Sequence, residues 1–463
     1  MTSQGSADGI GPSVGMLTEA AEAELPGLVQ DLMRLAAIPS IAAEGFDPEA
    51  LFTAHDQVVG LLTASGVTDI GRLEVPGTTA PIVSATVPGP PGSPAVLLYT
   101  HYDVVPAGDP ALWRSPPFEP AVDGDAIVGR GVADSKANIV SIAGALRLLR
   151  DRLPVTVKII IEGHEEFGSP FDDYPKQAPE LFAADAIVIA DVGNVRPGTP
   201  TMTVALRGSA SVTISATSLL SDKHSGQYGG AAPDARLALI RAIGSLHDDA
   251  GDVVVPGLRR EPWAGTSYTD DEFRRLAEVV DGVPLQGTGT IGERIWSGPA
   301  ITVIAFDAPP IDSPLNAVAG SATAVLNLRV HPEQDAAEAQ QALINHLRSL
   351  RPFGIELEVT AGETGNGFAA ALDGAGYQAA SQALAAVWGQ PTGAMASGGS
   401  IPLAMAFQEA DPQTEILLFG ATDGYANIHG PNERVLISEI RNSIVGLALF
   451  LINMGAGPRS AQS

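Results

Sequence analysis

Cysteine is absent from all 463 residues, which excludes disulfides, thiolate metal ligands and cysteine nucleophiles together. Any transition-metal site must then be assembled from His, Asp and Glu. Positive charge is scarce as well: 26 Lys+Arg stand against 53 Asp+Glu, a formal net charge of −27. A surface of that sign repels nucleic acid and anionic lipid, so neither is an expected partner, whereas acid-rich clefts attract cations. The start of the chain, MTSQGSADGIGPSVG, lacks the basic-then-apolar pattern of a secretory signal. No uninterrupted apolar run reaches the roughly 18 residues of a membrane span. The cytoplasm is the expected compartment. What is present, 45% hydrophobic residues over a length suited to two or three domains, describes a folded globular protein.

Periodicity orders the chain. An apolar helical pattern covers 16–37 and stops at Pro39-Ser40, and a second helix is expected over about 48–64. Apolar runs at 82–87, 95–99, 155–161 and 186–190 read as strands, with helices at 135–150 and 175–183 between them. Strands alternating with helices predict an α/β domain with a mostly parallel sheet. From Thr201 the pattern alternates apolar and polar, the signature of strands with one wet face. Helices at 232–245 and 336–350 and strands at 300–306, 322–330 and 355–359 complete an α+β unit, with a loop-rich stretch at 248–297. A helix at 370–387 and a strand at 415–419 then resume the α/β texture. The expected organisation is a catalytic domain in two parts, 1–200 and 363–463, with an inserted α+β domain at 201–362.

Four segments, and a fifth far along the chain, carry candidate chemistry. His101 and Asp103 directly follow the strand at 95–99; a carboxylate there can hold a metal-binding imidazole, and a solvated turn is the alternative. Asp134 precedes a helix and reads singly as an N-cap. Glu165 and Glu166 follow another strand; adjacent carboxylates repel without a cation, and one can ligate while the other serves as general base, or both can form an exposed turn. Asp191 ends a fourth strand, and His429 lies in the distant run His429-Gly430-Pro431-Asn432-Glu433. Together they form a nitrogen-and-oxygen donor set suited to two zinc-like ions.

The runs His101-Tyr102-Asp103-Val104-Val105-Pro106, Gly129-Arg130-Gly131, Glu162-Gly163-His164-Glu165-Glu166 and His429-Gly430-Pro431-Asn432-Glu433, with Trp113 and Pro117-Phe118, resemble the co-catalytic zinc metallopeptidases that include carnosinases, aminoacylases and carboxypeptidase G. The resemblance implies that Asp134 bridges two metals, His101 and Asp191 completing one site and Glu166 and His429 the other. It implies that Asp103 orients His101 and that Glu165 is general base and acid toward a metal-bridging hydroxide. Leu206-Arg207-Gly208, His224-Ser225-Gly226 and the long 248–297 stretch resemble the lid of the dipeptidase, carnosinase-like branch. In that branch the lid serves dimerisation, so His224 is expected to act across a homodimer. Arg329 is expected to hold the substrate carboxylate, the alternative being a surface cation, and Asn316, Gly399 and Ser400 to contact substrate.

The implied activity is hydrolysis of short unblocked peptides with two divalent ions, Zn2+ first and Mn2+ or Co2+ next. The rival readings are an N-acyl amino acid amidohydrolase on the same metals and a peptide-binding protein without catalysis; a dipeptide and acyl-amino-acid substrate panel separates them. Three departures bear on specificity: Ser135 stands where many members have a second Asp, Met395-Ala396-Ser397 replaces an Arg-Glu pair, and Ala319 replaces a Pro.

Overall fold

A computed structural model describes residues 12–399 and 401–457; Ser400 lies outside the described residues. The chain divides into two compact units, Met1–Val204 with Ala370–Ala394 and Ala406–Ser463, and Ala205–Ala369 with Met395–Met405.

The first unit is built on a mixed sheet. Strands Thr156–Glu162, Ala95–His101, Ala186–Ile189 and Glu415–Leu418 lie side by side and parallel at its centre. They are buried on both faces, which is why they read as unbroken apolar runs. On one side Ile82–Val87 and Ile70–Leu73 continue antiparallel, because too few residues separate these two strands for a crossover. On the other side Thr203 of strand Thr201–Leu206 pairs antiparallel with Leu418. The expected mostly parallel sheet is thus parallel only at its centre.

Four helices pack together in this unit. Val14–Ala36 is capped by Ser13, whose hydroxyl accepts from the Met16 amide at 3.3 Å. Ile437–Ala456 is long and apolar enough to cross a membrane. Its Ile440, Ile444, Leu447, Phe450 and Leu451 are nevertheless buried, and it packs on Val14–Ala36, Ala137–Leu149 and Ala375–Trp388. Its apolarity is that of a core helix with several neighbours. Gly144 permits the close approach, since a Cβ there would meet Ile444 at 2.9 Å. The other side of strand Ala95–His101 carries Tyr99 into an aromatic cluster with Phe171, Phe182 and Phe407.

The second unit is a four-stranded antiparallel sheet in the order Ala300–Phe306, Ser321–Val330, Gly208–Thr217, Leu357–Gly365. Strict alternation along Gly208–Thr217 sends Ala210, Val212, Ile214 and Ala216 into a core shared with helices Ala235–Gly244 and Ala336–Ser349. Asp234 and Asp335 cap these helices through their side chains. The stretch read as loop contains two short helical segments, Asp270–Leu276, opened by a Thr269–Glu272 capping box, and Glu293–Ser297.

Two residues past Asp191, Gly193 pairs with Thr422, and a Cβ on it would fall 1.9 Å from the Thr422 carbonyl oxygen. Gly193→Ala should therefore cost roughly 1–3 kcal/mol, read as a lower denaturation midpoint. Gly60→Ala, in a helix with open space around it, should leave the midpoint unchanged or raise it. Equal midpoints for the two variants would contradict the packing described.

Candidate active site

Sheet topology brings the predicted ligands together. Register pairs His101 with Glu162, so His101 and the turn holding Glu165 and Glu166 emerge at the same end of adjacent strands, and Asp191 follows the next strand. This is the carboxyl edge of a parallel sheet, where α/β folds place ligands. Asp134 arrives from the turn Val132–Lys136 that leads into helix Ala137–Leu149. It is not that helix's N-cap: Lys136 holds the position without a side-chain cap. Lys136 instead points back to the carbonyls of Leu35 and Ile38, at 3.1 and 3.0 Å, tying the turn to the first helix.

The side chains converge as two clusters that share one residue. His101 Nε2 lies 3.1 Å from Asp134 Oδ1 and 2.9 Å from Asp191 Oδ1. His429 Nε2 lies 3.1 Å from Asp134 Oδ2 and 2.9 Å from Glu166 Oε2. Asp134 therefore turns one oxygen to each cluster. Asp103 is fully buried, and its Oδ1 lies 3.4 Å from His101 Nδ1. The same carboxylate accepts the amides of Glu165 and Glu166, each at 3.1 Å, so one residue fixes both the imidazole and the two-carboxylate turn. The Glu166 carboxylate is engaged by His429. That of Glu165 makes no hydrogen bond or ion pair among the described residues, although it lies in reach of His101 and Asp191.

Three supporting residues were not assigned roles in the sequence. Glu433 is fully buried and accepts from the amides of Gly131, Ala133 and Asp134 at 2.9, 2.9 and 3.1 Å. It also pairs with Arg130 at 2.7 Å, while Arg130 donates to the His429 carbonyl at 3.2 Å and stacks under Trp113. Ser135 is buried and binds the Thr100 hydroxyl at 2.7 Å and the Ala190 carbonyl at 3.0 Å, bracing the strand ends that carry His101 and Asp191. Their signals were the invitingly complete motifs around them: Glu433 and Arg130 both fall inside runs singled out for other members.

The remaining candidates belong to the second unit. His224 is exposed and its Nδ1 accepts from the Gly226 amide. Asn316 neighbours it, since its carbonyl accepts from Ser225 at 2.9 Å. Arg329 lies half-buried in strand Ser321–Val330 opposite Ser209. Gly399 donates its amide to Ser397. A third group of possible donors, Glu261, His331 and Glu333, already has a cation: Arg259 contacts both carboxylates at 2.8 Å.

The sequence matches the profile of peptidase family M20/M25/M40 over residues 97–453. The chain belongs to this family. A cysteinylglycine-S-conjugate dipeptidase of Corynebacterium striatum is 38% identical over 372 residues, covering 78% of this chain and 82% of the relative. Human Beta-Ala-His dipeptidase is 27% identical over 441 residues, covering 89% and 85%. Among solved structures, human carnosine dipeptidase 1 superposes with a TM-score of 0.76 at 23% identity, covering 96% of this chain and 99% of that one. A dinuclear metal-binding M20 peptidase of Bacillus subtilis superposes with a TM-score of 0.60 at 18% identity, covering 93% and 98%. These likenesses show the shared fold.

Electrostatics in this M20 peptidase fit cation binding. Burial, helped by the Asp191 charge, pushes Glu165 up to about 9. Burial also raises Glu166 and Asp191. Asp134 goes the other way: burial would raise it, but hydrogen bonds from His101 and His429 hold it far below the usual carboxylate range. In return, Asp134 and Glu166 push His429 up to about 10. His101 is raised as well, its carboxylate partners outweighing burial. In each cluster a proton on imidazole supplies the positive charge that a metal ion would bring.

A shared carboxylate makes the loss pattern specific. Asp134→Ala should reduce bound metal from two equivalents toward one or none, whereas Asp191→Ala and His429→Ala should each weaken mainly one site. Metal analysis after equilibrium dialysis reads this directly; small, equal losses for all three would argue against a bridged pair.

Proposed function

We propose that the protein is a metal-dependent dipeptidase that hydrolyses the peptide bond of short unblocked peptides. The observation that carries this reading is the division of the two Asp134 oxygens between the His101–Asp191 and His429–Glu166 clusters. His101, Asp191 and Asp134 would hold one divalent ion, and His429, Glu166 and Asp134 the other. Mixed imidazole and carboxylate donors suit Zn2+ first, with Mn2+ or Co2+ accepted by the same groups. Bound ions there supply Lewis acidity and a water that loses its proton near neutral pH.

The protein supplies the rest. Glu165, unpaired beside the clusters and held by its amide on Asp103, takes the proton of the attacking water and delivers it to the departing amine. Asp103 keeps His101 in the orientation that presents Nε2 to the site. Arg329 recognises the substrate carboxylate through its planar fork, and Asn316 and Gly399 contact the substrate in this reading. The dipeptidase names of the curated relatives support peptides over acyl amino acids as substrates.

His224 of the partner subunit donates to the developing oxyanion in this reading, which makes the second unit a lid and dimerisation domain. Support for a homodimer comes from strand Ala300–Phe306, a free sheet edge exposing Val303 and Ile304, and from exposed Leu237 and Ile240 on helix Ala235–Gly244. The cytoplasm remains the compartment of this reading, and burial of helix Ile437–Ala456 among its neighbours argues against its spanning a membrane.

Glu165→Gln should keep its metal while dipeptide turnover falls by roughly 10²–10⁴-fold, the usual loss when a general acid–base is removed. A site emptied of metal by this change would mean that Glu165 and Glu166 have exchanged roles. Glu165→Gln and His224→Ala subunits, each inactive alone, should complement when mixed. Random reassortment leaves about half the dimers mixed with one repaired site each, so activity should approach about a quarter of wild type. No recovery despite demonstrated subunit exchange would confine His224 to its own chain or remove it from catalysis.

A further inference from the structure

Helix Ala137–Leu149 begins with a buried amide side chain. Asn138 is 1% exposed, a position where an apolar residue would leave no hydrogen bond unmet. The other buried polar side chain of the helix, Ser141, is satisfied by its own backbone, donating to the Ala137 carbonyl at 2.8 Å. Asn138 instead bonds outside its helix. Its Nδ2 donates to the Ser135 hydroxyl at 3.0 Å, and its Oδ1 accepts from the Ala421 amide at 2.7 Å. A backbone amide only donates, so the oxygen must face Ala421 and the nitrogen Ser135.

Both partners belong to segments that carry candidate ligands. Ser135 directly follows Asp134. Its hydroxyl donates to the carbonyl of Ala190, the residue before Asp191, at 3.0 Å, and meets the hydroxyl of Thr100, the residue before His101, at 2.7 Å. Ala421 opens the segment that runs through Thr422 and Asp423 to His429. That segment is closely held. Gly420 lies between the Asp191 turn and Asn138: a Cβ there would fall 2.4 Å from the Val192 carbonyl oxygen and 2.6 Å from Asn138 Oδ1. Thr422 and Asp423 then pair with Gly193 and Asn194. Asp423 also binds Arg434 through both oxygens, at 2.6 and 2.9 Å, closing the loop beyond His429. Two hydrogen bonds of Asn138 thus join the ends that carry His101, Asp134 and Asp191 to the start of the loop that carries His429.

We propose that Asn138 is a positioning residue for the two-metal site: through Ser135 and the Ala421 amide it sets the spacing between the His101–Asp191 cluster and the loop that brings His429 to Asp134. This rests on the two-metal reading given above and adds a residue that fixes its geometry without touching an ion. Glu433 and Arg130 tie the Asp134 turn to the His429 backbone; Asn138 ties the same loop, nearer its start, to the strand ends. A residue serving its helix alone has no need of directed bonds to two separate segments. Buried bonds of this kind select one arrangement among several of similar compactness.

The test measures Mn2+ stoichiometry and affinity by calorimetric titration, kcat and KM for Ala-Gly, and Tm. It compares the parent with Asn138→Ala, Asn138→Ser, Ser135→Ala, Ser141→Ala and the double variant of Asn138→Ala with Ser135→Ala. Asn138 borders a cavity of about 20 Å³ with Leu98, Val188 and Phe419, so truncation widens an existing space and forces no clash. Asn138→Ser removes less volume and carries the same prediction if Asn138→Ala does not fold. Every ligand remains in Asn138→Ala, so two equivalents should still bind, one of them at least about tenfold more weakly. The kcat should fall roughly ten- to hundredfold with a smaller change in KM. Adding Ser135→Ala should cost less than the sum of the single losses, because the two side chains act through a shared bond. Ser141→Ala should lower Tm while metal affinity and kcat stay at parent values. Parent-like affinity and kcat in Asn138→Ala, with Tm lowered as in Ser141→Ala, would make Asn138 structural and overturn the proposal. Strictly additive losses with Ser135→Ala would overturn it too. The parent alone judges the dipeptidase reading: if it binds two Mn2+ without hydrolysing Ala-Gly, while Asn138→Ala still weakens one of them, that reading fails and the positioning role holds. If the parent hydrolyses Ala-Gly and Asn138→Ala matches it, the reverse is true.

Discussion

The buried pair of Arg130 and Glu433 is the constraint on which the site depends. The two Glu433 oxygens accept from three amides of the 131–134 turn and from one guanidinium nitrogen, and Arg130 passes the connection to the backbone of His429. One carboxylate thereby fixes the turn that presents Asp134 and, through Arg130, the loop that presents His429, although nearly three hundred residues separate them in the chain. The His429 backbone is in the left-handed region, φ 62°, which a non-glycine residue adopts only when its surroundings hold it there. Removing one member of such a pair leaves a bare buried charge, a loss of about 3–5 kcal/mol in comparable cases. The ligand geometry would go with it.

A second constraint is the mutual repulsion of carboxylates. Asp103 accepts the two amides of the turn and thereby places Glu165 and Glu166 side by side, close to Asp134 and Asp191. The sheet could have spread these charges but gathers them instead, at the cost of carboxyl groups displaced from their ordinary ionisation. Such an arrangement is stable with protons or with cations, and exchange between the two couples metal binding to proton release.

Much of this was legible in the residues. The strands ending at His101 and Ile189 and the helices Val14–Ala36 and Glu49–Ala64 lie close to where periodicity put them, because each buries a continuous apolar face. The antiparallel flanks of the sheet were not legible, since a strand's own sequence does not say which way its neighbour runs. Helix Ile437–Ala456 was missed because it is surrounded by other helices and so lacks a polar face for periodicity to reveal. The ligand-bearing segments stood out through strand-end position, but Asp134 alone resembled a helix cap; only the fold shows it between two imidazoles.

The central claim, one carboxylate shared by two ions, has a direct spectroscopic test. Protein loaded with two equivalents of Mn2+ should give the electron paramagnetic resonance spectrum of an exchange-coupled pair, and Asp134→Ala should abolish the coupling. Two independent six-line Mn2+ signals from the unsubstituted protein at full loading would contradict the account.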